Sequence, residues 1–258
     1  MTHQRGDASA VQFRPAILMP TYNNAGTLPD VVSRSEAFGL PLIIVNDGSL
    51  DGTAAWLAER LAATDGGHLH VVAHCINRGK AAALLTGFRA ARDMGCSHAL
   101  TFDTDGQLDP GEIPALLAAA QESPDALIVG ARDDRAADYP WRSRLGRRLS
   151  NWFIRRECGA VVHDSQCGFR VYPLRMFDMV QPRAGRYALE TEIITLATWA
   201  GFAVRNVPVT CRYLGDGRYV SSFRVGRDTF QAFLLHGRLL AAKLMRRSSA
   251  AVASDGRG

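Results

Sequence analysis

No apolar run in this 258-residue chain approaches the roughly 20 residues that span a bilayer, so nothing reads as a membrane-crossing helix. The first twelve residues are polar, lack an apolar core, and read as a flexible N-terminus rather than a secretory signal. Cysteine is scarce: Cys75, Cys96, Cys158, Cys167 and Cys211 are odd in number and widely spaced, with no Cys-x-x-Cys. That usage fits reduced thiols in a cytoplasmic protein, not a disulfide framework. Cys158, His163 and Cys167 lack the fourth ligand of a structural zinc site. No Gly-x-Gly-x-x-Gly follows the first strand-like run, which removes support for a dinucleotide-binding domain. Gly79-Lys80 lacks the preceding glycine of a P-loop and is followed by Ala81, so a Walker-type ATPase loses support as well. A nucleotide bound here is held by carboxylates and a metal instead of a glycine loop.

What is present is alternation. Short apolar runs at 13–19, 42–45, 69–72, 98–102 and 126–130 are separated by helical patterns at 27–38, 51–61, 81–92 and 110–121. Thr27 and Asp51 stand as N-caps, and Gly39 as a helix stop. Strands alternating with helices of this length predict an α/β fold, a Rossmann-like, mainly parallel sheet flanked by helices with right-handed crossovers. Polar loops follow the strands at 20–24, 46–49 and 77–80, where open α/β sheets bind ligands.

The stretch 101–110, Thr-Phe-Asp-Thr-Asp-Gly-Gln-Leu-Asp-Pro, concentrates the chemistry. Residues i and i+2 of a strand share a face, so Asp103 and Asp105 aim together. Gly106 permits the turn, and Asp109-Pro110 opens a helix with Asp as N-cap. Two carboxylates and the Gln107 amide form a hard-oxygen set suited to Mg²⁺ or Mn²⁺, although a solvated acidic turn has the same composition.

Five segments then occur in order: Pro20-Thr21-Tyr22-Asn23, Val45-Asn46-Asp47-Gly48-Ser49-x-Asp51-Gly52-Thr53, Asn77-Arg78-Gly79-Lys80, Asp103-x-Asp105-Gly106-Gln107, and Asp164-Ser165-Gln166-Cys167-Gly168-Phe169-Arg170. In order and spacing the chain resembles the family 2 glycosyltransferases, in particular the polyprenyl-phosphate sugar synthases and related bacterial transferases. The resemblance implies a GT-A fold over residues 13–213, with a nucleotide-sugar half at 13–130 and an acceptor half at 131–213. It implies inverting, metal-dependent transfer from a UDP- or GDP-linked sugar to a polyprenyl phosphate or other lipid-linked acceptor. Pro20, Tyr22, Asn23, Asp47, Asp51 and Lys80 would then line the nucleotide site. Asp103, Asp105 and Gln107 would hold Mg²⁺ or Mn²⁺, with Asp103 and Asp105 serving catalysis. Asp164 would be either the base for an alcohol acceptor or an orienting group beside an already ionised phosphate. Two departures stand out: Asn46 where the family carries Asp, and Cys167 where it carries Ser.

The acceptor half carries an apolar stripe, Trp141, Leu145, Leu149, Trp152 and Phe153, interleaved with six arginines and no acid before Glu157. A core helix accounts for the stripe alone; a groove for a greasy anion accounts for both. Arg132, Arg144, Arg147, Arg148, Ser165 and Arg170 are the expected acceptor contacts, arginine being suited to bidentate phosphate recognition. A helix at 189–199 carries Glu190 and Glu192, of which Glu192 resembles the family's acid beneath the active site and fits a structural role equally well. A strand at 203–209 follows.

After a loop, residues 230–245 place Phe230, Phe233, Leu234, Leu240, Leu244 and Met245 on one helical face, within a C-terminal unit at 214–247. Seven basic residues against Asp228 alone between 218 and 247 describe a basic amphipathic helix. Such a helix is suited to the inner surface of an anionic membrane as a peripheral anchor. Leu235 and Leu239 on its other side suit docking on the protein instead. Residues 248–258 read as a disordered tail, and a homo-oligomer is left open.

Two other function classes fit less. A nucleotidyltransferase making sugar nucleotides ordinarily shows a glycine-rich basic segment near the first strand, and Pro20-Thr21-Tyr22-Asn23 has neither feature. A nucleic-acid-binding protein explains the arginines but neither the Asp pair nor a sheet face without concentrated aromatics, so no nucleic-acid partner is expected.

Overall fold

A computed structural model describes residues 12–64, 67–133, 141–186, 188–212 and 225–255; the side chains of 141–143, 225, 227–228 and 247–255 also fall outside the description. Seven strands form one sheet: β1 (Pro15–Thr21), β2 (Leu42–Asn46), β3 (Leu69–Ala73), β4 (His98–Thr101), β5 (Ala126–Arg132), β6 (Arg170–Pro173) and β7 (Ala203–Val209). Their order is β3-β2-β1-β4-β6-β5-β7. All pairs are parallel except those of β6, which runs antiparallel to both β4 and β5. The expected mainly parallel α/β sheet is what forms, and β6 is the one strand the alternation did not announce. Four residues long, it has too few positions for a period to show.

Helices α1 (Leu28–Glu36), α2 (Thr53–Ala62) and α4 (Ile113–Glu122) pack on one face of the sheet. Helices α3 (Lys80–Asp93), α5 (Trp141–Cys158) and α6 (Ala188–Trp199) pack on the other. The central strands read as unbroken apolar runs because both faces are covered: Ile17, Leu18, Ile43, Ile44 and Leu100 are essentially inaccessible. Burying each such side chain contributes about 1.5–3 kcal/mol. Thr27 makes no cap bond to α1. Its hydroxyl instead donates to the Thr104 carbonyl at 2.6 Å, tying the loop after β1 to the loop after β4. Asp109 caps as expected, accepting from the Gly111 N–H, but opens a short 3-10 turn (Pro110–Glu112) before α4.

The last helix, α7 (Val225–Asp255), extends beyond its expected ends and takes in most of the stretch read as a disordered tail. It docks through Leu235, His236 and Leu239, each buried. His236 Nδ1 lies 2.7 Å from Glu157 Oε1 on α5, and Arg238 pairs with Glu192 on α6. Residues 1–11 of the expected N-terminal segment 1–12, and the loop part of the expected C-terminal unit up to residue 224, lie outside the described residues. Among the described residues, no helix is long and apolar enough to cross a membrane.

Candidate active site

Strand register assembles the site. The β4–β6 pairing sets Thr101 opposite Arg170. Continuing it by two residues brings Gly168 opposite Asp103, beyond the carboxyl end of β4. The segment 164–168 therefore crosses the mouth of the sheet beside the Asp pair, although some sixty residues separate them in sequence. The contact is close: a Cβ on Gly168 would lie 2.2 Å from Asp103 Oδ2 and 2.9 Å from Lys80 Nζ.

Lys80 opens α3 and reaches back into this mouth. Its ammonium lies 2.7 Å from Asp103 Oδ1 and 3.0 Å from Glu190 Oε2. Burial alone would lower its pKa, but the two carboxylates outweigh that and hold it above the usual lysine range, so it stays charged. Asp105 is pushed the other way: burial, then the Asp103 charge, raise its carboxyl to about 6, against the Gln107 N–H, Lys80 and Arg132. Its Oδ1 accepts from the Gln107 N–H at 3.0 Å. Two crowded carboxylates, one of them resisting ionisation, form a site that a divalent cation would relieve. Asp103, Asp105 and the Gln107 amide thus suit Mg²⁺ or Mn²⁺ by charge and donor type. Among the described residues, no cluster of three or more His, Cys, Asp or Glu offers an alternative centre.

Around the pair, the loops after β1, β2 and β3 are stitched to one another. Asn23, in a left-handed conformation at φ 55°, accepts from the Leu50 N–H, and Asn24 Nδ2 donates to Thr104 Oγ1 at 2.8 Å. Asp51 accepts from the Ala25 and Thr53 N–H groups. Asp47, expected to meet the nucleoside, is buried with both oxygens engaged. Its Oδ1 accepts from the Arg78 N–H at 2.9 Å and meets His74 Nδ1 at 2.6 Å, while Oδ2 accepts from the Gly79 N–H at 2.7 Å. His74 Nε2 in turn meets Thr86 Oγ1 at 3.0 Å. Asp47 therefore holds the loop after β3 from beneath, and exposed Asp51 ties the loop after β1 to the start of α2. Gly48 serves the same closeness: its φ is 68°, and a Cβ there would lie 2.4 Å from the Ile76 backbone. Pro20 is buried at the end of β1, while Tyr22 is half-exposed at the mouth.

The expected acceptor residues divide into two groups. Arg132, at the end of β5, forms a bidentate pair with Asp164: Nε to Oδ2 at 2.7 Å and an amino nitrogen to Oδ1 at 3.1 Å. Arg147 of α5 joins them, donating to Asp164 Oδ2 at 3.1 Å and to the Arg132 carbonyl at 2.9 Å. Burial would raise the Asp164 carboxyl, but the two guanidiniums hold it below the usual carboxylate range. A buried, doubly paired carboxylate is a poor proton acceptor at neutral pH, so of the two expected roles the geometry fits the orienting one. Arg147 also corrects the expectation that this helix lacks acidic partners; its acid comes from the segment before β6.

Ser165 and Arg170 are drawn into the framework. Ser165 donates to Ser150 Oγ and Asn151 Oδ1, and fully buried Arg170 donates to the carbonyls of Ser165, Cys167 and Glu190. Buried this way, neither side chain is available for the acceptor contact expected of it. Arg144 is half-buried and Arg148 exposed on α5 above the Arg132–Arg147 pair; Arg142 lies outside the described side chains.

Two participants, Glu190 and His74, had no role in the sequence reading. Glu190, not Glu192, meets the Lys80 ammonium that pairs with Asp103, because residues two apart on a helix point in nearly opposite directions. Glu192 faces away, accepting from the Arg183 and Ala184 N–H groups and pairing with Arg238. His74 carried no motif at all.

Comparisons with known proteins bear on the family and the fold. The family described as Glycosyl transferase family 2 matches residues 16–180. A polyprenol monophosphomannose synthase of Mycolicibacterium smegmatis is 32% identical over 205 residues, covering 76% of this chain and 77% of that protein. An undecaprenyl-phosphate 4-deoxy-4-formamido-L-arabinose transferase of Pseudomonas paraeruginosa is 35% identical over 165 residues, 61% of this chain. The chain spans about half of that transferase, 46% of its length. In fold it is similar to the glucosyl-3-phosphoglycerate synthase of Mycobacterium tuberculosis, solved with Mn²⁺, UDP-glucose and phosphoglyceric acid. There the TM-score is 0.64 at 17% identity, over 93% of this chain and 86% of that one.

Proposed function

The chain belongs to glycosyl transferase family 2 and has a GT-A fold, and from that premise we propose that it moves a hexose from a nucleoside diphosphate to a polyprenyl phosphate. The observation that carries this reading is the adjacency of two charge clusters at one edge of the sheet. Asp103 and Asp105 stand at the end of β4, and Arg132, close enough to act on the Asp105 charge, stands with Arg147 at the end of β5.

The bond that breaks joins the sugar C1 to the diphosphate oxygen, and its electron pair leaves with the nucleoside diphosphate. The bond that forms joins C1 to an oxygen of the acceptor phosphate, attacking from the opposite face, which inverts C1. Asp103, Asp105 and Gln107 would hold the divalent cation, which supplies positive charge to the departing diphosphate. Asp47, through the Arg78 and Gly79 amides, fixes the loop that shapes the nucleotide site. Arg132, partly exposed at the end of β5 and locked by Asp164, presents a preorganised cation for the acceptor phosphate, and buried Arg147 braces it from behind through the Arg132 carbonyl. A phosphate is ionised at neutral pH and requires no base, which agrees with Asp164 being committed to arginines.

The lipid character of the acceptor is supported by the outward face of α5 and α7. Leu145, Leu149 and Trp152 are 40–61% exposed, as are Phe230, Phe233 and Leu234 at 49–63%. The two rows meet at Phe153, whose ring lies 5.0 Å from Trp152 and 6.3 Å from Phe233. This face suits seating on an anionic membrane surface beside the site. The test is incubation with UDP- and GDP-sugars, polyprenyl phosphate and Mn²⁺ or Mg²⁺. A sugar-phosphate lipid as product supports the reading; sugar appearing only on water-soluble alcohols overturns it.

A further inference from the structure

We propose that Lys80 is an exchangeable internal cation of the donor site, and that Glu190 is the acid that receives it when a divalent cation takes Asp103. The inference rests on the donor site proposed above and adds two roles to it.

The geometry of Asp103 sets the problem. Its Oδ2 faces Gly168, where a methyl group would lie 2.2 Å away, so the carboxylate cannot turn if residue 168 carries a side chain. Its Oδ1 is occupied by the Lys80 ammonium at 2.7 Å. A divalent cation and an ammonium repel each other and do not share one carboxylate oxygen comfortably. Metal loading at Asp103 Oδ1 therefore displaces Lys80, and a largely buried ammonium moves to another acceptor.

Glu190 is that acceptor. Its Oε2 already holds Lys80 at 3.0 Å. Its Oε1 is buried and takes no hydrogen bond from any described residue. An unfilled carboxylate oxygen at such depth is costly and asks for an explanation. Here it provides a vacant position for the same ammonium, a short displacement from where it now sits. The Glu190 backbone is itself fixed, its carbonyl accepting from Arg170 at 2.7 Å, so the acid stays in place while the lysine swings. Before loading, Lys80 holds Asp103 in position in place of the metal; afterwards it is retained beside the diphosphate. Glu190 is thus a positioning residue that acts through Lys80.

Mn²⁺ binding in the presence of UDP, or of GDP if that is the nucleotide bound, followed by the resonance of free Mn²⁺, reads the exchange without turnover. In Glu190→Gln, Lys80 loses its alternative partner and competes harder for Asp103. Mn²⁺ affinity should fall about tenfold, the scale of one hydrogen bond to a charged group. In Lys80→Met the competitor is gone and Mn²⁺ should bind more tightly than in wild type. Adding Glu190→Gln to that background should then change affinity less than about threefold, because coupled residues do not contribute additively. An equal loss in both backgrounds makes Glu190 a general negative charge and overturns the exchange. If a variant fails to fold, a crystal structure of the wild type with Mn²⁺ and nucleoside diphosphate decides. Lys80 Nζ bonded to both Glu190 oxygens and released from Asp103 is the expected result, and Nζ still on Asp103 Oδ1 overturns it. A wild type that binds no Mn²⁺ with either nucleotide removes the donor site itself, which distinguishes that failure from the failure of the exchange.

Discussion

Gly168 and Asp103 face each other across the mouth of the sheet at a distance no side chain at 168 could respect, a Cβ there falling 2.2 Å from the Asp103 carboxylate. The segment before β6 thereby sets the position of the first carboxylate delivered by β4. Gly168→Ala should displace Asp103 and Lys80 while leaving the hydrophobic layers intact. Turnover should drop by two or more orders of magnitude, with folding stability lowered only by the about 1–3 kcal/mol typical of overpacking. Steady-state kinetics and calorimetry on the same preparation check both parts.

Asp47→Ala removes the acceptor for the Arg78 and Gly79 amides and for His74. Nucleoside diphosphate affinity should weaken by about 1–3 kcal/mol, the cost of leaving such groups unpaired. Amide exchange at residues 78 and 79 should accelerate in the same variant. Unchanged affinity by calorimetry for both uridine and guanosine diphosphates would move the nucleotide away from this loop.

Asp164 makes a prediction about acid stability. Its folded-state pKa is depressed below the ordinary 3.8, so the stability it contributes is present above that value and is lost as pH falls through the lower folded value. Thermal midpoints measured from about pH 6 down to about pH 2.5 should fall less steeply in Asp164→Asn than in wild type. The variant should also start lower, because Arg147 is left buried without its carboxylate, a loss on the order of 3–5 kcal/mol. Parallel acid limbs in the two proteins contradict the assignment.

Much of the donor half was legible in the sequence, and for a physical reason. Parallel strands buried on both faces must be continuous apolar runs, and their ligand loops must follow them directly, so β1 to β4 and the Asp103–Asp105 pair stand in order along the chain. The acceptor half was less legible because its site is made by register and by long-range pairing. Nothing local in Asp164 announces that Arg132 and Arg147 close on it, and nothing in Arg170 announces that it is buried among carbonyls instead of facing a phosphate. Glu190 and Glu192 show the same limit: composition offered two acids, and only the rotation of α6 decides which one meets Lys80. The unpatterned His74 was invisible because its partners, Asp47 and Thr86, come from the loop after β2 and from α3.

The exposed face of α5 and α7 predicts attachment to anionic vesicles. Removing α7 outright is a poor test, since Leu235, His236 and Leu239 are buried against the body of the protein. Leu145→Glu with Leu149→Glu changes two outward positions instead. It should reduce flotation with anionic vesicles at low salt while leaving folding stability within about 0.5 kcal/mol of wild type, as surface changes do. Equal flotation of both proteins, or none by either, counts against a membrane-facing role for this surface.

On the proposed function, Asp105 and its neighbours hold a divalent cation that serves sugar transfer to a lipid phosphate. This is tested most directly by following labelled sugar from a nucleotide donor into polyprenyl phosphate, with Mn²⁺ or with excess EDTA, for the wild type and Asp105→Asn. Metal-dependent product from the wild type is expected, with a loss on the order of a thousandfold in the variant, about 4 kcal/mol of transition-state stabilisation. Full transfer in EDTA, or near-normal transfer by Asp105→Asn, contradicts the account.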